Sequence, residues 1–163
     1  MPLKRGAGFY FSPTHTTQKV VRAVLEGAGL PQAEWDVTLP ESRRSAVGAP
    51  PAFDEETLAV LAAPVYGGRL PPAFAKALSC LQGNGAPAIL LVQFGNRHYD
   101  EALRQLYDLA VEAGFLPLAA GAFVGEHSFT GEIASGRPDA DDLRQAAGFG
   151  RAVMEKWARL GRR

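Results

Sequence analysis

The sequence predicts an α/β protein built on a doubly wound, parallel sheet. Three observations carry that prediction. Short apolar runs alternate with helical stripes along the whole chain, the pattern of strands wrapped by helices. Two of the runs, Thr57 to Ala63 and Ala88 to Phe94, are apolar almost throughout, as central strands covered on both faces must be. The length of 163 residues suits one domain with a real core, so a single domain over residues 1–163 is expected.

The elements follow in order. Ala7 to Phe11 reads as a first strand, bounded by a hydroxyl-rich loop. Val20, Val21, Val24 and Leu25 then share one helical face, with Gly27 and Gly29 as stop signals. Trp35 to Leu39 is the second strand, and residues 40–53, rich in Pro, Ser, Arg and Gly, form a loop or a short irregular helix. After the third strand, Thr57 to Ala63, the stripe Phe74, Ala77, Leu78 and Leu81 marks a helix. Ala88 to Phe94 is the fourth strand and Phe115 to Val124 the fifth, with the helical stripe Leu103, Leu106, Ala110 and Ala113 between them. The last helix starts near Asp139, a suitable N-cap, and runs through Leu143, Ala147, Met154 and Trp157 to about Leu160.

Composition excludes several classes. Seventeen basic and 17 acidic residues cancel, which argues against broad binding to nucleic acid or to anionic membranes. Apolar runs fall far short of a membrane span, and Met1 to Gly8 leads straight into a strand rather than a leader peptide. A cytoplasmic protein is the expectation. The lone Cys80 allows no internal disulfide and no cysteine-held cluster. His15, His98 and His127 are scattered with no HExxH spacing, so no metal is expected. With no GxSxG, and with Cys80 placed in a helix, a hydrolase is not supported either.

In a doubly wound sheet, ligands bind beyond the carboxyl ends of the strands, where strand order reverses. The loop after the first strand is SPTHTT, with hydroxyls at Ser12, Thr14, Thr16 and Thr17 and no lysine or arginine. It opens a helix, whose N-terminal N–H groups and dipole welcome an anion. The same hydroxyls serve equally well as helix caps. After the third strand comes PVYGGRLP, residues 64–71, in which Gly67-Gly68 permits positive φ beside the planar Tyr66. A tight turn beside a half-buried tyrosine is the plainer reading. After the fourth strand, Phe94, Gly95, Asn96, Arg97, His98 and Tyr99 crowd a strand end, and Tyr99 or Asp100 could simply start the next helix. Together these loops suit a planar aromatic ligand with a phosphate tail. Residues 126–138 add a long loop, a length more often functional than accidental. His127, Phe129 and Arg137 are its candidate contacts, though a packed surface loop accounts for them as well.

These motifs resemble those of the flavodoxins. Ser12-Pro13-Thr14-His15-Thr16-Thr17 is similar to the family's phosphate loop, T/S-x-T-G-x-T, with His15 where a glycine is usual. PVYGGRLP at 64–71, FGNRHY at 94–99, EHSF at 126–129 and SGRPD at 135–139 together resemble the flavodoxin-like domains that precede a bacterial-type ferredoxin module in electron-transfer proteins of anaerobes. The ferredoxin cysteines are absent, so that half is expected to be missing or to lie on another chain.

The resemblance implies a three-layer sheet of five parallel strands in the order 2-1-3-4-5, holding FMN as an electron carrier. It implies that Ser12, Thr14, His15, Thr16 and Thr17 hold the phosphate, and that Tyr66 and Tyr99 flank the flavin. Backbone at Gly67 and Gly68 would face flavin N5, with Pro64, Val65, Arg69 and Leu70 completing that loop. Gly95 and Asn96 would meet the pyrimidine side, with Phe94, Arg97 and His127 as further candidate cofactor contacts. Arg69 and Arg97, if near the ring, would raise the flavin's potential. The implied partner is a redox protein, such as a separate ferredoxin or a ferredoxin-dependent enzyme. Two alternatives stay open: an NAD(P)H-dependent FMN or quinone reductase, and a non-redox interaction module without FMN.

Overall fold

Residues of alternating facing along the strands dictate the layers. The computed structural model describes residues 2–95, 99, 101–125 and 136–161. Its strands are β1 (Arg5–Tyr10), β2 (Gln32–Asp36), β3 (Thr57–Pro64), β4 (Pro87–Phe94) and β5 (Leu116–Val124). Its helices are α1 (Thr16–Ala28), α2 (Pro40–Gly48), α3 (Pro72–Ser79), α4 (Ala102–Glu112) and α5 (Ala140–Leu160). The strands pair in parallel in the order β2-β1-β3-β4-β5. Phe9, Leu61, Leu90 and Val92 face one way, against Ala46 of α2, Phe74 and Leu78 of α3 and Leu106 of α4. Tyr10, Val60, Ala62, Ile89 and Leu91 face the other way, against Val20, Val21 and Val24 of α1 and Ala146 and Val153 of α5. Burying each of the larger of these side chains, Val, Leu, Ile or Phe, is worth about 1.5–3 kcal/mol. Exposed ion pairs such as Lys4–Glu56 and Arg104–Asp108 contribute about 0–1 kcal/mol. The two apolar layers therefore decide the fold.

Several boundaries differ from the sequence expectation. The second strand is Gln32–Asp36, not Trp35 to Leu39, because β1 pairs Gly6 through Tyr10 with those five residues. Val37 and Thr38, inside the expected strand, lie past its end: Val37 is fully buried, and Thr38 N donates to Asp36 Oδ1 at 2.9 Å. Residues 40–48 form a regular helix with Pro40 in its first turn, where a missing N–H costs nothing. The buried stripe of α5 is Ala146, Gly150 and Val153, with Leu143, Ala147, Met154 and Trp157 as its partly buried flanks. Cys80 lies just past the end of α3, exposed, and at the opposite edge of the sheet from the strand C-termini. No described helix is long and apolar enough to cross a membrane.

Gly27 is not a stop signal either. Gly29, at φ 71°, ends the helix in the left-handed conformation. Gly27 lies within α1, where a Cβ would fall 1.9 Å from Ala147 O of α5. Gly150 answers it from α5, its imagined Cβ 2.0 Å from Val24 O. Beneath α1, a Cβ at Gly6 would meet Leu25 Cδ2 at 2.6 Å and one at Gly8 would meet Val21 Cγ1 at 2.8 Å. Missing side chains on three elements thus let α1 sink onto β1 and α5.

At the start of α5, Asp139 is the N-cap as expected, in a reciprocal capping box with Asp142. Arg137 grips Asp142 with two bonds, Nε to Oδ2 at 2.5 Å and Nη2 to Oδ1 at 2.6 Å. That guanidinium, helped by the Asp139 N–H, holds the Asp142 carboxyl at about 2.

Two predictions follow from this packing. Gly150→Ala sets a methyl against backbone that cannot swing aside. Overpacking of about 1–3 kcal/mol should exceed the gain of about 1 kcal/mol in helix propensity. The urea midpoint should therefore fall. For Asp142, the folded pKa lies below the unfolded one, so its contribution is complete above the ordinary carboxylate range. It disappears as pH falls toward about 2. Acid unfolding of Asp142→Asn should lose that part of the pH dependence, while the variant is less stable at neutral pH.

Candidate functional site

Parallel pairing brings the C-terminal ends of β1, β3, β4 and β5, from which the following loops start, to the same edge of the sheet. The chain leaves β1 toward β2 on one side and returns as β3 on the other, so the reversal point lies between β1 and β3. The loops that flank it are SPTHTT and PVYGGRLP.

The first loop is built around a non-glycine residue in a glycine conformation. His15 has φ 63° and ψ 6° at the N-cap of α1, and its side chain makes no cap bond. L-residues adopt this region at a cost of about 1–2 kcal/mol, and histidine is among the side chains enriched there. The loop thereby keeps the backbone shape that a glycine at this position would provide. A turn from Ser12 O to His15 N (3.2 Å) precedes the helix, and His15 O accepts from Lys19 N at 3.2 Å.

The four hydroxyls divide into two pairs. Ser12, 2% exposed, accepts from Gln18 N at 3.0 Å and so acts as the cap that His15 does not supply. Its own N–H donates to Thr38 Oγ1 at 2.7 Å. Thr17, also buried, donates to Gln93 Oε1 at 2.9 Å. Thr14 and Thr16 instead lie at the loop surface with their hydroxyl oxygens 3.0 Å apart. The cap reading of the loop is therefore met by Ser12. Residues 11–17 carry no lysine, arginine or carboxylate, which leaves dipoles as the donors.

In the second loop Gly67 and Gly68 have φ 58° and 80°, as a type I′ turn requires. Tyr66 N donates to Arg69 O at 2.7 Å and Arg69 N to Tyr66 O at 3.1 Å, closing it. A Cβ on Gly67 would meet nothing within 4 Å, so this backbone is open to approach. The Tyr66 ring stands edge-on to Phe11 across the reversal point, centroids 6.2 Å apart at 86°. Its partial burial raises the phenol pKa above the ordinary value. Pro64 ends β3, and Val65 N donates to Gln93 O at 2.9 Å. Leu70 is buried, with its N–H on Gln105 Oε1 at 2.8 Å. Arg69 Nη1 lies 3.2 Å from Glu101 Oε2, an exposed pair that links this loop to the N-cap of α4.

From the third loop, Phe94 packs on Tyr99 with centroids 5.4 Å apart at 60°. The helix begins at Ala102 rather than at Tyr99 or Asp100, although Tyr99 O accepts from Ala102 N at 3.0 Å. Gly95 is half-buried at the end of β4. Asn96, Arg97, His98, Asp100, His127 and Phe129 lie outside the described residues. Arg137 is committed to Asp142.

Sequence reasoning missed the residues that hold these loops. Asp36 Oδ1 takes both the N–H and the hydroxyl of Thr38, which in turn holds Ser12 N. Gln18 Nε2 donates to Tyr10 OH at 2.7 Å, and burial pushes that phenol up to about 12. Gln93 stood out in one respect: it is the single amide in the otherwise apolar run of β4.

No family model and no curated protein matches the chain. Solved structures do. A flavodoxin of Streptococcus pneumonia TIGR4 is 18% identical, with 93% of this chain and 98% of that one covered at a TM-score of 0.62. A flavodoxin, WrbA-like protein of Agrobacterium tumefaciens is 22% identical over 96% of this chain and 98% of that one, at 0.60. The rubredoxin oxygen:oxidoreductase of the anaerobe Desulfovibrio gigas is 18% identical over 96% of this chain and 38% of that one, at 0.62. At such identities the likeness is one of fold, and the fold is flavodoxin-like.

The left-handed backbone at residue 15 can be tested directly. His15→Val should lower the unfolding free energy by about 1–2 kcal/mol, because a β-branched side chain is strongly disfavoured at positive φ. His15→Gly should be neutral or slightly stabilising, read from the same denaturant titrations.

Proposed function

We propose that the loop edge binds FMN and that the protein works as an electron carrier. The observation that carries this reading is the β1–α1 loop. It joins a glycine-like backbone at His15, the surface hydroxyls of Thr14 and Thr16, and a helix N-terminus whose side-chain cap, Ser12, takes the Gln18 N–H. Such a loop fits a phosphate monoester held by dipoles rather than by cations. The open type I′ turn at Gly67-Gly68 and the rings of Tyr66 and Tyr99 fit a planar ring system beside it.

In this reading Thr14, Thr16 and the first-turn N–H groups bind the phosphate, while Ser12 and Thr17 hold the loop's shape. Tyr66, braced by Phe11, and Tyr99, braced by Phe94, orient the ring and exclude water from it. Gly67 and Gly68 let backbone approach its edge without a side chain between. Arg69 pairs with the exposed Glu101, and Asn96, Arg97 and His127 are proposed as further contacts. Bound FMN would supply one-electron redox chemistry, which requires no general acid or base from the chain. The partner would be a redox protein such as a ferredoxin or a ferredoxin-dependent enzyme. With no net charge, docking would rest on a local patch rather than on a long-range field.

Titration of the purified protein with FMN tests the reading. Flavin fluorescence should be quenched at one equivalent, and riboflavin, which lacks the phosphate, should bind at least about tenfold more weakly. Absence of quenching would overturn the proposal and favour an interaction module. Rapid anaerobic bleaching of the bound flavin by NAD(P)H alone would make the protein a reductase.

A further inference from the structure

Gln93 is buried where an amide is costly. It occupies the penultimate position of β4, is 5% exposed, and follows a run of wholly apolar strand neighbours. Its Oε1 accepts from Thr17 Oγ1 at 2.9 Å, in the first turn of α1. Its backbone carbonyl accepts from Val65 N, the residue just before Tyr66. Its Nε2 is fully buried with no hydrogen-bond partner among the described residues. The amide lies against Gly125, directly after β5, where a Cβ would come within 2.5 Å of Nε2 and 2.6 Å of Cδ. Gly125 N in turn donates to Phe94 O at 2.8 Å.

One residue therefore touches the bases of three separate loops. A leucine would fill this volume without leaving a buried donor unsatisfied, and such donors are rare in native interiors. The hydroxyl of Thr17 is in the same position: buried, and with Gln93 as its acceptor. Each polar group makes sense only through the other.

We infer that Gln93 is a positioning residue, which fixes the first turn of α1, and hence the anion loop, relative to the β3–α3 and β5–α5 loops. It does not touch the ligand; it sets where Thr14, Thr16 and the first-turn N–H groups stand. The inference deepens the FMN reading and rests on it for the identity of the ligand, but the coupling of Gln93 to the loop does not.

The test compares wild type with Gln93→Met, Thr17→Val and the double variant. Methionine keeps the volume and removes the amide. Amide hydrogen exchange of the flavin-free proteins should show residues 12–18 exchanging several-fold faster in Gln93→Met, with α5 unchanged. FMN affinity should fall about tenfold while riboflavin affinity holds, and the double variant should be no worse than either single one. Unchanged exchange at 12–18 would overturn the inference whatever the ligand. A uniform rise in exchange across the chain, or equal losses for FMN and riboflavin, would also overturn it, by making Gln93 a merely structural residue. If wild type binds no FMN yet exchange responds locally, the positioning role stands and the FMN reading falls.

Discussion

How closely α1 approaches its neighbours governs everything at the loop edge. The helix rests on Gly6 and Gly8 of β1 and meets α5 through Gly27 and Gly150, with backbone close to backbone. Interiors packed at crystal-like density transmit small displacements rather than absorbing them. The N-terminus of α1 is the far end of that seated rod, and the β1–α1 loop is joined to it at His15. A displacement of α1 by a few tenths of an ångström would move Thr16 and Thr17 as a unit, away from Gln93 and from the Tyr66 loop. Positions without side chains in the core thus set the geometry of a site they never touch.

Around the β1–α1 loop, a relay of hydrogen bonds secures its shape. Asp36 holds Thr38, Thr38 holds the Ser12 N–H, and the Ser12 hydroxyl holds Gln18 N. Gln18 continues the relay to the buried Tyr10 phenol. Of the four hydroxyls that made the segment conspicuous, that of Ser12 is spent in this way and that of Thr17 on Gln93. The remaining two, on Thr14 and Thr16, are left at the surface with each other as neighbours. A loop ordered beforehand by its own chain loses less entropy when it takes a ligand.

The layers were legible because period and burial agree: β3 and β4 read as apolar runs and emerge as central strands, buried over nearly all their length. The N-cap at Asp139 was legible because a short acidic side chain before an apolar stripe has one common use. The second strand was misplaced because an edge strand needs little apolar content. Gln32, Ala33 and Glu34 are exposed, whereas the more strand-like Val37 is buried beyond the ladder. Gly27 was misread for a related reason. A glycine that ends a helix and one that admits a neighbouring helix look identical until the partner, 120 residues away at Ala147, is in place. Site geometry was legible only as far as chain-local rules reach. The turn at Gly67-Gly68 was visible in that way, and the special position of residue 15 through the resemblance to flavodoxin loops, while the division of hydroxyls into structural and surface pairs depends on Thr38 and Gln93, which no local pattern brings near.

For the anion-binding role proposed above, the absence of lysine and arginine from residues 11–17 has a consequence for its salt dependence. A lysine-lined pocket loses affinity steeply as salt rises, since each charge contact displaces counterions and is screened beyond a Debye length of roughly 8 Å at physiological ionic strength. Backbone N–H groups and hydroxyls act at contact distance and carry no counterion shell. Affinity at this loop would consequently be set by fit and desolvation, and would change little between dilute buffer and a concentrated cytosol-like medium.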